Sequence, residues 1–367
     1  MSAPAVPHRL LMTADAVGGV WTYALELARA LAPHGVEIAL AVMGPPPSAD
    51  QRAEAARHPN VTLHAGDFAL EWMDGPWNDV DRAGDWLLAL AADFAPDLVH
   101  LNGYAHAVLP FGVPTLVVAH SCVCTWWAAV RGGEAPTTFD EYRRRVAAGL
   151  AAADLVVAPT AAMLRDLEAH HGPVPAGRVI HNARDPHAYT PASKTPTILA
   201  AGRAWDDAKN LRALDAAAPH VSWPVELAGD RTAPGGGSAT FDHVRFLGRL
   251  TGADLHARLA AAWVYALPAR YEPFGLSALE AALSGCALVL GDIPSLREVW
   301  GDDAAFVGPD DPDALAWTLN GLIIDEDRRV TLAHRARVRG LEYSPSRMAA
   351  GYLSAYAQCL EREEVAA

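Results

Sequence analysis

Short apolar runs alternate with helix-period segments along this chain, and after one polar interruption the alternation starts again. Runs at 9–12, 37–42, 98–101, 115–119 and 155–158 read as strands with helices between them, the pattern of a parallel sheet covered on both faces. The first helix is the clearest. Val20, Tyr23, Ala24, Leu27 and Leu31 fall on one face directly after Gly18-Gly19, so a strand, a glycine turn and a helix open the chain.

The restart follows a polar, proline-containing stretch at 185–196, with strands expected at 197–200, 225–228, 244–246, 264–267 and 287–290. Helices are expected around 210–218, 253–262, 276–284 and 312–324. The fold class is therefore α/β, with two Rossmann-like doubly wound halves facing a cleft. At 367 residues, two domains are the first expectation: 1–185 and 186–345. A last segment, 346–367, carries Met348, Tyr352, Tyr356 and Leu360 as one apolar stripe that has to dock on something. Gly235-Gly236-Gly237 marks a loop in the second half.

Composition narrows the function classes. With 51% hydrophobic residues the chain can fill sizeable cores, while 29 basic against 43 acidic residues give a formal charge of −14. That charge repels nucleic acid and anionic lipid, so neither is an expected partner. Residues 1–7 lack the charged and apolar regions of a signal peptide, and no apolar run is long enough to span a bilayer. A cytoplasmic protein, monomer or homodimer, is expected. Cys122, Cys124, Cys286 and Cys359 match neither a disulfide framework nor a Cys-x-x-Cys metal pair, and read as reduced, incidental thiols.

The most informative stretch is Arg270-Tyr271-Glu272-Pro273-Phe274-Gly275-Leu276-Ser277-Ala278-Leu279-Glu280, which leads from a strand into an Ala-rich helix. Backbone amides at Phe274, Gly275 and Leu276, at the positive end of the helix, suit a diphosphate without a bound metal. Glu272 and Glu280 can each accept paired hydrogen bonds from vicinal hydroxyls, one on a hexose and one on a ribose. Ser277-x-x-Glu280 also reads as an ordinary capping box, and both readings stand. After the strand at 197–200, Arg203 and Lys209 bracket a loop where open α/β sheets bind ligands. There they either neutralise a leaving diphosphate or pair with Asp206 and Asp207 on a solvated surface.

Weaker signals lie elsewhere. Trp126-Trp127 can stack on a sugar or pack within a loop. Arg143, Arg144 and Arg145 suit a phosphorylated acceptor or a solvated helix face. Asp311-Pro312-Asp313 and Asp325-Glu326-Asp327 imitate a metal-binding motif but sit where helices start, so no metal is predicted.

In their order, these pieces resemble the retaining GT-B glycosyltransferases of family 4, the glycosyl transferases group 1. Gly18-Gly19-Val20 is similar to the family's N-terminal glycine loop and His181-Asn182-Ala183-Arg184-Asp185 to its interdomain segment. Gly202-Arg203 with Lys209-Asn210 is similar to its phosphate loop, Phe246-Leu247-Gly248 to its base-contacting loop, and Glu272 to Glu280 to its Glu-x(7)-Glu signature. Ala183 and Arg184 depart from the usual glycine and aliphatic residue.

The resemblance implies a GT-B architecture whose C-terminal helix crosses back to the N-terminal domain. It implies a nucleotide-sugar donor, UDP ahead of GDP, with Arg203 and Lys209 on the diphosphate, Glu280 on the ribose and Glu272 on the sugar. Gly18 and Gly19 would meet it through the backbone, and His120, at the end of the strand 115–119, matches a histidine near the sugar. The expected reaction is retaining, metal-independent hexosyl transfer to a soluble small molecule or saccharide, with Trp126 and Trp127 on the acceptor side. A non-catalytic sugar-nucleotide-binding homologue and a sugar-nucleotide epimerase of the same fold are the rival readings.

Overall fold

A computed structural model describes residues 6–233 and 236–366, with side chains as far as Glu361; Gly235 of the glycine run lies outside the described residues. The chain divides into two compact units. The first comprises residues 1–125, 134–183 and 345–367, the second 126–133 and 184–344. This differs from the domain limits 1–185 and 186–345 in one respect of consequence: residues 126–133, with both tryptophans, count with the second unit.

Seven parallel strands form the first sheet: β1 (Arg9–Asp15), β2 (Glu37–Met43), β3 (Val61–Ala65), β4 (Leu98–Leu101), β5 (Thr115–Val118), β6 (Leu155–Ala158) and β7 (Gly177–Val179). Their spatial order is 3-2-1-4-5-6-7, the doubly wound arrangement with its switch point between β1 and β4. β4, β5 and β6 are buried throughout, as strands covered on both faces must be. The edge strands β3 and β7 have no fully buried residue, and so left no apolar run in the sequence. The helix Gly19–Leu31 buries Tyr23, Ala24, Leu27 and Leu31 as its spacing requires, and Trp21, Leu25 and Ala28 besides.

The final helix, Pro345–Ala366, packs on the same core, which its Met348, Tyr352 and Tyr356 join. The Tyr23 and Tyr352 rings lie 6.0 Å apart. Each large side chain of this stripe contributes about 2 kcal/mol of burial, enough to hold the helix on this unit.

The second unit repeats the plan with six parallel strands in the order 10-9-8-11-12-13: β8 (Thr195–Ala201), β9 (Val225–Ala228), β10 (Arg245–Gly248), β11 (Ala262–Leu267), β12 (Ala287–Gly291) and β13 (Ala305–Val307). Its switch point lies between β8 and β11. Close backbone packing marks this end of the sheet. A Cβ on Gly229, after β9, would stand 1.8 Å from the Gly202 carbonyl oxygen, after β8, so only glycine fits.

Candidate active site

In open α/β sheets, ligands bind beyond the carboxyl ends of the strands at the switch point. In the second unit, that place is bounded by two segments, 202–210 after β8 and 268–275 after β11. Asn210, buried and in the left-handed region at φ 53°, ties them together by donating to the carbonyls of Pro268 (2.9 Å) and Pro309 (2.6 Å). Arg270 N also donates to the Ala208 carbonyl at 2.9 Å.

This clamp brings Lys209 to Glu272, with Nζ 2.5 Å from Oε2 and both side chains largely buried. The other oxygen, Oε1, accepts from Gly275 N at 3.1 Å, and Ser295 Oγ donates to the Glu272 carbonyl at 2.6 Å. Gly275 precedes the helix Leu276–Leu283 at φ 92°, where a Cβ would press on Leu296 at 3.2 Å. Of the three amides expected to face a diphosphate, that of Gly275 is thus engaged by Glu272. Leu276 keeps the orphan N–H of a first helical residue. The Phe274 ring is buried against Tyr343 at 5.4 Å.

Glu280 lies one turn before the end of that helix, and its Oε1 is 2.9 Å from Arg184 Nε. Arg184 also donates to the Tyr189 hydroxyl, 2.8 Å from Nε. The Tyr189 ring packs tilted against His256, 4.6 Å between ring centroids. Burial and the neighbouring Glu280 raise the Tyr189 phenol above its ordinary range. Burial lowers His256 despite the nearby Glu280 carboxylate. Glu280 is therefore an ion-pair partner rather than half of a capping box with Ser277.

Arg203 pairs with Asp206 at 2.7 Å and lies 5.3 Å from the Trp205 ring centroid. Asp206 also accepts from Trp126 Nε1 at 3.1 Å. Burial pushes this carboxyl up, but Arg203, Lys209 and the Ala208 and Trp126 N–H groups hold it below the usual range. Asp207 pairs with Arg131, itself 5.3 Å from the Trp126 ring. The indole expected on the acceptor side thus supports the loop of Arg203. Trp127 packs beside it at 5.8 Å.

In the first unit, Gly18 and Gly19 stand where β1 turns into the helix Gly19–Leu31, and Gly19 begins that helix with an amide that has no intrahelical acceptor. His120 follows β5 and is held by Asn102, Nε2 to Oδ1 at 2.8 Å. The Asn102 amide is oriented in turn by Thr13, its Nδ2 donating to the Thr13 carbonyl at 2.6 Å and its backbone N to Thr13 Oγ1 at 2.8 Å. With Nδ2 on a carbonyl, Oδ1 accepts, so His120 carries its proton on Nε2, which leaves Nδ1 the acceptor of the ring. Loss of hydration drives His120 well below its ordinary value, and drives the fully buried His100 down to about 3, with His120 adding to that shift. Both rings are neutral near pH 7.

The arginine run is spent on carboxylates: Arg144 on Glu141, Arg145 on Asp81 and Glu141, and Arg143 on Asp140. Asp311 and Asp325 cap the helices Pro312–Ile324 and Glu326–Gly340 through bonds from Ala314 N (2.8 Å) and Arg328 N (2.9 Å). Among the described residues no helix is long and apolar enough to cross a membrane. Asn102, Arg184 and Tyr189 were missed as site residues. Only the place of Asn102 at a strand end, and the departure at Arg184, pointed to them.

Two family models match the chain: Glycosyltransferase Family 4 over residues 17–188 and Glycosyl transferases group 1 over residues 240–339. A D-inositol 3-phosphate glycosyltransferase of Xylanimonas cellulosilytica is 29% identical, over 95% of this chain and 94% of its own. Sucrose-phosphate synthase from Thermosynechococcus elongatus superposes with TM-score 0.79 at 19% identity, covering 98% of this chain and 100% of that one. Anabaena HepE in complex with UDP-glucose gives TM-score 0.72 at 16% identity, covering 98% and 100%.

Proposed function

The chain belongs to the GT-B glycosyltransferases of family 4 and transfers a glycosyl group; on that premise, we propose that it moves a hexose from a nucleoside-diphosphate sugar to a soluble small-molecule or saccharide acceptor, with retention and without a metal ion in the chemical step. The observation that carries this reading is the Lys209–Glu272 pair at the β8/β11 switch point. One cation and one carboxylate there suit the two ends of the bond that breaks.

Lys209 and Arg203 stabilise the diphosphate as it leaves, which is where charge develops. Glu272 accepts hydroxyls of the hexose and Glu280 those of the ribose. His120 Nδ1, the acceptor nitrogen of a neutral ring, accepts from a sugar hydroxyl. The acceptor oxygen bonds to the anomeric carbon on the face that the phosphate leaves, and the acceptor proton passes to the departing phosphate oxygen. No protein nucleophile is assigned.

A thermal-shift panel of UDP, GDP and ADP without added metal tests the donor site, because a ligand that binds only the folded chain raises its stability by mass action. Transfer assays then pair the selected nucleotide sugar with monosaccharide, inositol phosphate and sugar phosphate acceptors, and NMR of the anomeric proton reads the configuration. A selective shift with UDP and product of the donor's configuration support the reading. Binding with no product in any pairing favours the non-catalytic homologue, and an inverted product rejects retention.

A further inference from the structure

Cys122, Cys124 and His171 bring their ligand atoms within 4.8 Å of one another in the first unit. Cys122 stands just before the helix Val123–Arg131, Cys124 lies in its first turn, and His171 ends the helix Ala161–His171. Cys122 Sγ is 3.2 Å from His171 Nε2. The spacing Cys122-Val123-Cys124 by itself is poor for a metal pair, and the third group comes from 47 residues beyond Cys124, where only the fold could place it. Both thiols are buried and His171 is half-buried.

From this geometry we propose that Cys122, Cys124 and His171 form a binding site for one thiophilic divalent cation of the zinc type, with water as the fourth ligand. Tetrahedral zinc, bonded at about 2.3 Å to sulfur and about 2.0 Å to nitrogen, sets its ligand atoms roughly 3.5–3.8 Å apart. With its ligand atoms already within 4.8 Å of one another, the trio needs side-chain adjustments of only about 1 Å to reach those separations. Two thiolates and a neutral imidazole around a divalent ion sum to zero charge, which makes burial tolerable. On binding, two S–H bonds are exchanged for two metal–sulfur bonds and both protons leave to solvent. The competing arrangement is a thiol–imidazole hydrogen bond with no ion.

A bound ion would tie residues 122–124, immediately beyond the His120 loop, to the end of the helix Ala161–His171. It would therefore act on the position of His120 and not on the sugar, and the site does not depend on the identity of donor or acceptor.

The test is a cobalt(II) titration of the full chain after chelator treatment and reduction by a phosphine. The expected result is one equivalent bound, with a thiolate-to-cobalt charge-transfer band and the intense visible bands of tetrahedral cobalt, both bleached by stoichiometric zinc. Cys124→Ser and His171→Gln should each weaken zinc binding by more than about 10-fold, the loss that even outer partners of metal ligands produce. Cys359→Ser, a buried thiol outside the trio, should bind as the wild type does. His171→Gln, at a half-buried helix end, keeps the test open if Cys124→Ser does not fold. Absence of the charge-transfer band at equimolar cobalt, or its persistence in His171→Gln, overturns the proposal.

Discussion

Lys209 Nζ lies 2.5 Å from Glu272 Oε2 across a sequence separation of 63, and the same carboxylate accepts from Gly275 N through its other oxygen. One side chain thus joins the loop after β8 to the entrance of the helix Leu276–Leu283. In the free protein these groups satisfy each other, so on the proposed reading donor binding exchanges this pair for contacts with phosphate and sugar. The site is assembled before the ligand arrives.

Glu272→Gln keeps the shape of the side chain and removes its charge. Transfer should slow at least about 100-fold in kcat, the scale of losing one preorganised electrostatic contact, while the melting temperature falls because Lys209 loses its partner. Steady-state kinetics and a thermal melt check both. Full activity would remove Glu272 from the chemistry.

Arg184→Leu restores the aliphatic character usual in the family and strips Glu280 of its cation. A largely buried carboxylate left with the Tyr189 hydroxyl but no cation destabilises the free chain, and on the proposed reading a ribose diol then relieves it. The variant should melt lower than the wild type and show a larger stabilisation by the cognate nucleoside diphosphate. An unchanged nucleotide shift would separate Glu280 from ribose binding.

Asn102→Leu removes the acceptor that fixes His120 and the donor that meets the Thr13 carbonyl. Turnover should drop about 10- to 100-fold, a typical share for a lost orienting contact, with the nucleotide-induced shift unchanged because His120 is proposed to meet the sugar, which a nucleoside diphosphate lacks. Separate kcat and binding measurements distinguish this from general destabilisation, which would lower both.

Acid should weaken the fold through His100. Its folded value, about 3, lies below the ordinary 6.5 of the unfolded chain, so the unfolded state binds more protons between those limits. Stability is therefore complete above about pH 7 and declines as pH falls, by about 2 kcal/mol from this residue at about pH 5. Denaturant titrations over that range, with His100→Gln as the comparison, should show a shallower decline in the variant.

Gly275→Ala places a side chain at φ 92° against Leu296. The left-handed conformation alone costs roughly 1–2 kcal/mol, and relief of the contact would shift the amide that Glu272 accepts from. Lower stability together with lower activity is expected, from the same two measurements.

The sequence by itself determined the two doubly wound units, because the alternation of buried strands and one-faced helices is a local signal that survives without knowledge of partners. It also exposed Glu272 to Glu280, since a strand end, a glycine and a helix start are adjacent in the chain. Edge strands β3 and β7 escaped because their half-exposed positions, interrupted by polar residues, carry no apolar run. Tertiary structure alone decided which polar groups meet: Lys209 with Glu272, Arg184 with Glu280, Trp126 with Asp206, and His171 with two cysteines whose own spacing is poor for a metal. Periodicity reports which face of an element is buried. It holds no information on which side chain of a distant element comes within 3 Å, and that choice sets the chemistry.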